Sequence, residues 1–124
     1  MSLYLTPMHL GDVTLIEATG RITLGENVVS LRNQIHELAE GGRLKIVLNL
    51  AQIAYIDSSG LGELVSAYAT VKNRGGSIKL LHLTSRVRDL LQITKLSTLF
   101  EVFDDEARAL ASFSSEAKGT TGNR

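Results

Sequence analysis

The sequence predicts a mixed α/β domain in which a mostly parallel, five-stranded sheet carries about four helices. Strand-like runs of apolar residues alternate along the chain with segments whose apolar residues recur every three or four positions, as they do in helices. Glycine pairs at 41–42 and 75–76 separate helical segments from the strands that follow them. Because alternating strands and helices are joined by right-handed crossovers, most neighbouring strands should run parallel.

The chain opens with two predicted strands, over residues 3–9 and 12–19. The second is rich in β-branched residues, and Gly11 and Asp12 suit a turn between the two strands. We expect Gly20 to end the second strand. This hairpin adds an antiparallel edge to the otherwise parallel sheet.

The middle of the chain contains two predicted helices on either side of a core strand. The first helix covers residues 26–40, and its apolar face is formed by Val28, Leu31, Ile35 and Leu38. A nearly continuous apolar strand follows at 44–50, the pattern of a strand that is covered on both faces. A short loop then leads to the second helix, from about residue 59 to residue 73.

The second half of the chain repeats this alternation. We predict a strand at 78–83, a helix capped by Ser85 and a short strand at 99–103. The carboxylates of residues 104–106 should begin the last helix, where the helix dipole favours negative charge. Four apolar residues of this half are expected in the core and not in a binding patch: Leu90, Leu91, Phe100 and Phe103.

The length of 124 residues fits a single domain. Residues 114–124 are mostly small and polar and show no apolar period, so we expect the domain to span residues 1–113 and residues 114–124 to form a disordered tail.

Composition excludes several classes of function. Thirteen basic residues balance thirteen acidic ones, which argues against nucleic-acid binding, and the absence of cysteine excludes thiolate metal sites and cysteine nucleophiles. No apolar run approaches the roughly 20 residues that cross a bilayer, and the first residues lack the pattern of a signal peptide. We therefore expect a soluble cytoplasmic protein that binds no membrane, metal or cofactor.

Residues 57–62, Asp-Ser-Ser-Gly-Leu-Gly, lie where a strand and loop pass into the second helix. Asp57 suits a helix N-cap because its carboxylate can accept hydrogen bonds from the free amides of the first turn. The two serines place hydroxyl groups at that turn, and the two glycines allow another molecule to approach closely. A phosphate on the first serine would add about −1.5 to −2 charges beside the aspartate. The segment therefore fits a phosphorylatable recognition switch, although its local spacing fits an ordinary capped helix start equally well.

The same segment could also fit two other classes of function, a serine hydrolase and a nucleotide-binding protein. Ser58 could serve as a nucleophile with His82 as its base if their strands are neighbours, but the segment is not the G-x-S-x-G elbow of hydrolases. The G-x-G at 60–62 opens a helix, yet Val65 stands where a dinucleotide fingerprint has its third glycine, and no Walker lysine follows. We expect no catalytic residues and no enzymatic activity.

The strand at 44–50 followed by residues 55–62 strongly resembles the signature of STAS domains, and the most similar group is the stand-alone bacterial anti-sigma factor antagonists. The resemblance extends from residue 3 to about residue 113 and includes the glycine pair at 75–76. It implies a single STAS-like α/β domain that binds an anti-sigma factor. Binding frees a sigma factor and so regulates transcription.

The resemblance also implies how binding is controlled. In that family the anti-sigma factor is an ATP-dependent serine kinase that phosphorylates the serine directly after the aspartate, here Ser58. The phosphate prevents binding, and a separate phosphatase restores it. ATP and magnesium belong to the kinase, so no cofactor is implied for this chain, which the sequence allows to be a monomer or a weak dimer. The residues implied in partner binding are Thr23, Asp57, Ser58, Ser59, Gly60, Leu61 and Gly62.

Thr23 departs from the family pattern, which commonly has an aspartate at this position. Its loop is expected to lie near the motif, so the change bears on which partner is bound and on phosphorylation of Ser58. STAS-like domains also act as scaffold subunits of stress-sensing or lipid-transport complexes. This alternative stays open at the level of sequence.

Overall fold

The computed structural model describes the backbone of residues 2–122 and the side chains of residues 2–114. Its elements in chain order are β1 (Leu3–Leu10), β2 (Val13–Ile22), α1 (Glu26–Glu40), β3 (Lys45–Ile56), α2 (Ser58–Asn73), β4 (Ser77–Leu81), α3 (Ser85–Ile93), a 3-10 turn (Leu96–Thr98), β5 (Val102–Phe103) and α4 (Glu106–Gly122). The backbone of α4 thus continues past residue 114. Side chains 115–124 lie outside the described residues, and the disordered tail stays a prediction.

The five strands form one sheet in the order β1-β2-β3-β4-β5. β1 pairs antiparallel with β2, and the other neighbouring pairs are parallel, which confirms the predicted mixed sheet. The parallel strands follow one another from β2 to the far edge. Because right-handed crossovers that always advance in one direction place their helices on one face, α1, α2 and α3 share a face of the sheet.

The core therefore has two unequal parts. The larger cluster lies between the sheet and the three crossover helices and includes Ile22, Leu31, Leu48 and Leu64, all fully buried. The smaller cluster lies on the opposite face, where Ala109 and Phe113 of α4 pack on Val13, Leu15, Val47 and Leu81. Of the residues predicted to be core, Leu91 and Phe100 are buried, while Leu90 and Phe103 are half-buried and pack against these clusters.

Two predicted strand boundaries in the first half are wrong for a common reason. Gly20 does not end β2, which continues to Ile22 through a shift in register. A Cβ on Gly20 would lie 2.1 Å from the Ser2 carbonyl oxygen, so this glycine permits the close approach of β2 to the start of the chain before β1. β2 pairs with Gln52 and Ile53 and, after a further shift in register, with Tyr55 and Ile56, so the loop predicted after residue 50 is a continuation of β3.

The later elements also differ at their ends. β4 stops at Leu81, because His82 adopts a left-handed conformation with φ of 56°. β5 has two residues only, and the preceding segment forms the 3-10 turn. The cap of α3 is Thr84, whose Oγ1 accepts a hydrogen bond from the Val87 N–H at 3.2 Å; Ser85, predicted as the cap, is the first helical residue.

Candidate partner-binding site

The segment 57–62 lies at the carboxyl end of β3, where the chain enters α2. Asp57 has an extended backbone, and its Oδ1 accepts a hydrogen bond from the Gly60 N–H at 2.8 Å. The Leu61 N–H donates to the Asp57 carbonyl oxygen at 2.9 Å and begins the helical ladder. The predicted N-cap is therefore confirmed.

The second carboxylate oxygen of Asp57 makes a contact that the local sequence does not reveal. Asp57 Oδ2 accepts a hydrogen bond from the Leu24 N–H at 3.0 Å. The backbone N–H of Asp57 also donates to the Ile22 carbonyl oxygen at 3.3 Å. Asp57 thus joins the start of α2 to the loop between β2 and α1, and the loop of Thr23 lies beside the motif as predicted.

These hydrogen bonds favour the ionised form of the Asp57 carboxyl. The backbone N–H of Leu24, and then that of Gly60, hold the pKa of the Asp57 carboxyl below its ordinary value of 3.8, because both donors stabilise the charged form. The carboxylate is therefore ionised at neutral pH. It already accepts the hydrogen bond of the Gly60 N–H at the start of α2. An incoming phosphate would meet a negative charge at that position, so the nucleotide-binding alternative gains no support.

The two serines of the motif differ in exposure. Ser58 is exposed, whereas Ser59 is half-buried. Ser59 is four residues before Glu63, and residues with this spacing lie on the same side of a helix. Glu63 is only 5% exposed. Ser58 is therefore the more accessible hydroxyl, and it lies on the side of the helix away from this buried carboxylate.

The two glycines of the motif also have different environments. A Cβ on Gly60 would lie 2.0 Å from the Ile22 carbonyl oxygen and 2.8 Å from Ile56 Cγ2, so the fold itself requires glycine there. A Cβ on Gly62 would meet nothing within 4 Å. Leu61, between them, is 8% exposed and packs into the larger core cluster. Ser58 and Gly62 are therefore the residues of the motif that offer an open surface.

Thr23 is half-buried and uses its hydroxyl locally. Its Oγ1 accepts a hydrogen bond from Asn27 Nδ2 at 3.1 Å, one turn into α1. A surface depression of about 320 Å³ adjoins it and is lined by Arg21, Thr23, Leu24, Glu26 and Asn27. The end of β2 and the start of α1 therefore place a positive and a negative side chain at this depression.

One ion pair near the site was missed by the sequence analysis. Arg32 of α1 donates from both Nε (3.2 Å) and Nη2 (3.0 Å) to Oε1 of the buried Glu63 in α2. The partners are 31 residues apart, so neither helical pattern indicates the pair. It joins α1 to α2, the helix that begins with the motif, and it compensates the buried charge of Glu63.

His82, the candidate base of the hydrolase alternative, follows β4, the neighbour of β3. Its backbone N–H donates to the Phe103 carbonyl oxygen at 2.9 Å. Among the described residues, no hydrogen bond joins the His82 imidazole to Ser58. The described residues thus show no pairing of Ser58 with this base, and the hydrolase alternative gains no support.

The described residues contain no cluster of three or more His, Asp or Glu side chains placed to hold a metal ion. No helix within them has both the length and the apolar character needed to cross a bilayer.

Asp57 has a measurable role in stability. We expect Asp57→Ala to lower the melting temperature at pH 7 by about 3 to 6 °C, because two backbone N–H groups lose their acceptor. Since the folded-state pKa is lowered, the stabilisation is complete above pH 3.8 and is lost as the pH falls through the folded-state pKa. Thermal unfolding of both proteins from pH 7 to pH 3 should show the difference in melting temperature shrinking below pH 3.8.

Asp89→Ala, at an exposed position of α3, is the control. Equal melting temperatures for wild type and Asp57→Ala at pH 7 would rule out this role.

Comparison with known proteins gives close sequence relatives. An anti-sigma-B factor antagonist from Bacillus subtilis is 40% identical over 73 residues, which span 58% of this chain and 65% of that protein, slightly under two thirds of its length. An anti-sigma F factor antagonist from Paenibacillus polymyxa is 26% identical over 111 residues, 89% of this chain and 94% of that relative. The resemblance to anti-sigma factor antagonists is therefore confirmed at the level of sequence.

Solved structures share the fold. The crystal structure of protein TM1081 from Thermotoga maritima superposes with a TM-score of 0.81 at 23% identity, covering 87% of this chain and 92% of that one. The phosphorylated form of SpoIIAA from Bacillus gives a TM-score of 0.71 at 19% identity, over 89% and 99% of the two chains. The sequence profile of the STAS domain matches residues 4–109, most of the chain. With its sheet order, capped motif and this match, the chain belongs to the STAS domain family.

Proposed function

We propose that this protein is a bacterial anti-sigma factor antagonist whose binding to an anti-sigma factor with serine kinase activity is controlled by phosphorylation of Ser58. The observation that carries the proposal is the exposure of Ser58 directly after Asp57. The Asp57 carboxylate is held in place by hydrogen bonds from Leu24, after β2, and from Gly60, in α2. The relatives named as antagonists support the proposed role. Sigma factors act in the cytoplasm, so the proposal places the protein there.

The site explains how one modification can change binding without unfolding the domain. Ser58 is exposed, so a kinase can reach it and a phosphate there remains in water. The phosphate adds about −1.5 to −2 charges next to the ionised Asp57. The hydrogen bonds of Asp57 are made to backbone groups and do not involve the Ser58 hydroxyl. The fold is thus retained while the surface charge changes.

Protein SpoIIAA, whose fold this chain shares, has been solved in an unphosphorylated and in a phosphorylated form. This supports the idea that the fold accommodates both states. In the proposed cycle the partner transfers the γ-phosphoryl group of its bound ATP to Ser58 Oγ, ADP leaves, and the hydroxyl proton is lost. A phosphatase later hydrolyses the phosphoserine and restores the binding form.

Ser59 is a poor acceptor for two reasons. Its side chain is half-buried, and a phosphate on it would lie one turn from the buried carboxylate of Glu63. The residue four positions after Ser58 is Gly62, which has no side chain to oppose a phosphate. The proposal therefore assigns the modification to Ser58 alone.

The test begins with capture of the partner from the native host on immobilised Ser58→Ala, followed by purification of that partner. By calorimetry we expect Ser58→Ala to bind as tightly as the unphosphorylated wild type and Ser58→Asp to bind at least about tenfold more weakly, because a new charge must be desolvated at the interface. Ser66→Asp, an exposed serine two turns further along α2, is the matched control.

The purified partner should also phosphorylate the wild type with ATP at Ser58, as read by mass spectrometry, and should leave Ser58→Ala unmodified. Equal affinity of Ser58→Ala and Ser58→Asp, or retention of a complex of similar domains without an anti-sigma factor, would overturn the proposal. The second outcome would favour the scaffold alternative.

A further inference from the structure

Leu24 stands out among the apolar residues near the site. Its side chain is 77% exposed, an exposure matched among the large apolar side chains of the described residues only by Ile93. It lies between β2 and α1, and neither core cluster includes it. Isolated exposed leucines are common on protein surfaces, so exposure alone decides nothing.

The position of Leu24 is, however, fixed by the site. Its backbone N–H donates to Asp57 Oδ2 at 3.0 Å, which places the Leu24 backbone beside the residue that precedes Ser58. On one side, Thr23 is bonded to Asn27. On the other, Gly25 precedes α1 as its N-cap residue with φ of 107°, a conformation that favours glycine. Because the backbone is already held in place, binding of the Leu24 side chain costs little backbone conformational entropy.

Gly62, in the first turns of α2, gives an independent indication of a partner near the motif. Glycine inside a helix is less favourable than alanine, yet a Cβ at this position would contact nothing in the chain. The fold therefore gives no reason for glycine here, whereas close approach of another molecule does. An exposed leucine whose N–H is bonded to Asp57 and an unobstructed glycine four residues after Ser58 thus accompany the exposed serine.

We infer that Leu24 is the apolar anchor of the partner surface and enters an apolar pocket of the anti-sigma factor, with the partner backbone packed close to Gly62. The inference rests on the proposed function. Arg21 and Glu26 line the same depression as Leu24, and polar residues are common around a buried anchor. A phosphate on Ser58 opposes binding because closing the pocket over Leu24 would remove water from the new charge.

The test measures the affinity of the purified anti-sigma factor for Leu24→Ala by calorimetry. We expect binding to weaken about 10- to 100-fold, the effect of losing one buried leucine side chain. Leu24→Met should retain most of the affinity because it keeps the apolar volume. Ile93→Ala, equally exposed but on α3, is the matched control and should bind like the wild type. None of the three changes should alter the melting temperature by more than a few degrees.

The outcomes separate this inference from the proposed function. If Ser58→Ala and Ser58→Asp differ as expected but Leu24→Ala binds like the wild type, the anchor assignment is wrong and the switch stands. If the two Ser58 variants bind equally, or no anti-sigma factor is captured, the switch fails and the anchor fails with it. Loss of self-association in Leu24→Ala, by sedimentation and with unchanged anti-sigma binding, would assign Leu24 to a dimer interface and overturn the inference.

Discussion

Gly60→Ala should lower the free energy of unfolding by about 3 kcal/mol or more, a large effect for the addition of one methyl group. The added Cβ would overlap the Ile22 carbonyl oxygen at 2.0 Å, and backbone atoms cannot rotate away as a side chain can. Relief requires the start of α2 to move away from β2. That movement would also lengthen the hydrogen bond from the Leu24 N–H to Asp57. Urea unfolding followed by circular dichroism measures the effect.

Gly62→Ala is the matched control, since it adds the same methyl group two residues later in the same helix. Its Cβ would enter open space, so we expect stability to stay unchanged or to rise by up to about 1 kcal/mol. Similar losses of stability in both variants would contradict the assignment of Gly60 to the fold and of Gly62 to a partner. The pair thus separates two glycines that look alike in the sequence.

Lys79→Ala should lower the free energy of unfolding by about 2 to 4 kcal/mol. Lys79 is 1% exposed on β4, and its Nζ donates to Ser112 Oγ at 2.8 Å and pairs with Glu101 at 2.9 Å. The same ammonium lies 4.3 Å from the centre of the Phe113 ring, a cation–π contact. Truncation leaves a cavity beneath α4 and removes these contacts together. Urea unfolding gives the overall loss, and hydrogen–deuterium exchange should show it concentrated in α4.

Lys45→Ala provides the comparison for this prediction. Lys45 is a sheet lysine with its own ion pair, to Asp12 at 2.7 Å, but its side chain is 37% exposed and that of Asp12 is 74% exposed. An exposed pair contributes little, because water screens the charges and replaces the lost contact. We therefore expect a small change for Lys45→Ala. An equally small change for Lys79→Ala would mean that α4 is held by its apolar contacts alone.

The structure confirms the predicted helices more closely than the predicted strands. The bounds of α1 agree with the prediction, because its apolar spacing and terminal glycine are encoded within the segment itself. The extension of β2 to Ile22 and the continuity of β3 were missed, because each depends on the other strand as a hydrogen-bonding partner. The cap of α3 was misplaced by one residue, since Thr84 and Ser85 are equally suitable by residue type.

The features of the candidate site also fall into two groups, those that local sequence predicts and those that depend on contacts between distant residues. The capping role of Asp57 and the position of the two serines at a helix start follow from six consecutive residues, and the sequence determined them by itself. The bond from Leu24 to Asp57 joins residues 33 apart, and the bond from Arg32 to Glu63 joins residues 31 apart. The distinct roles of Gly60 and Gly62 depend on whether β2 passes behind the helix. Local hydrogen bonds and periodicity need only neighbouring residues, whereas these contacts exist only after the strands have paired, and so the tertiary structure alone decided them.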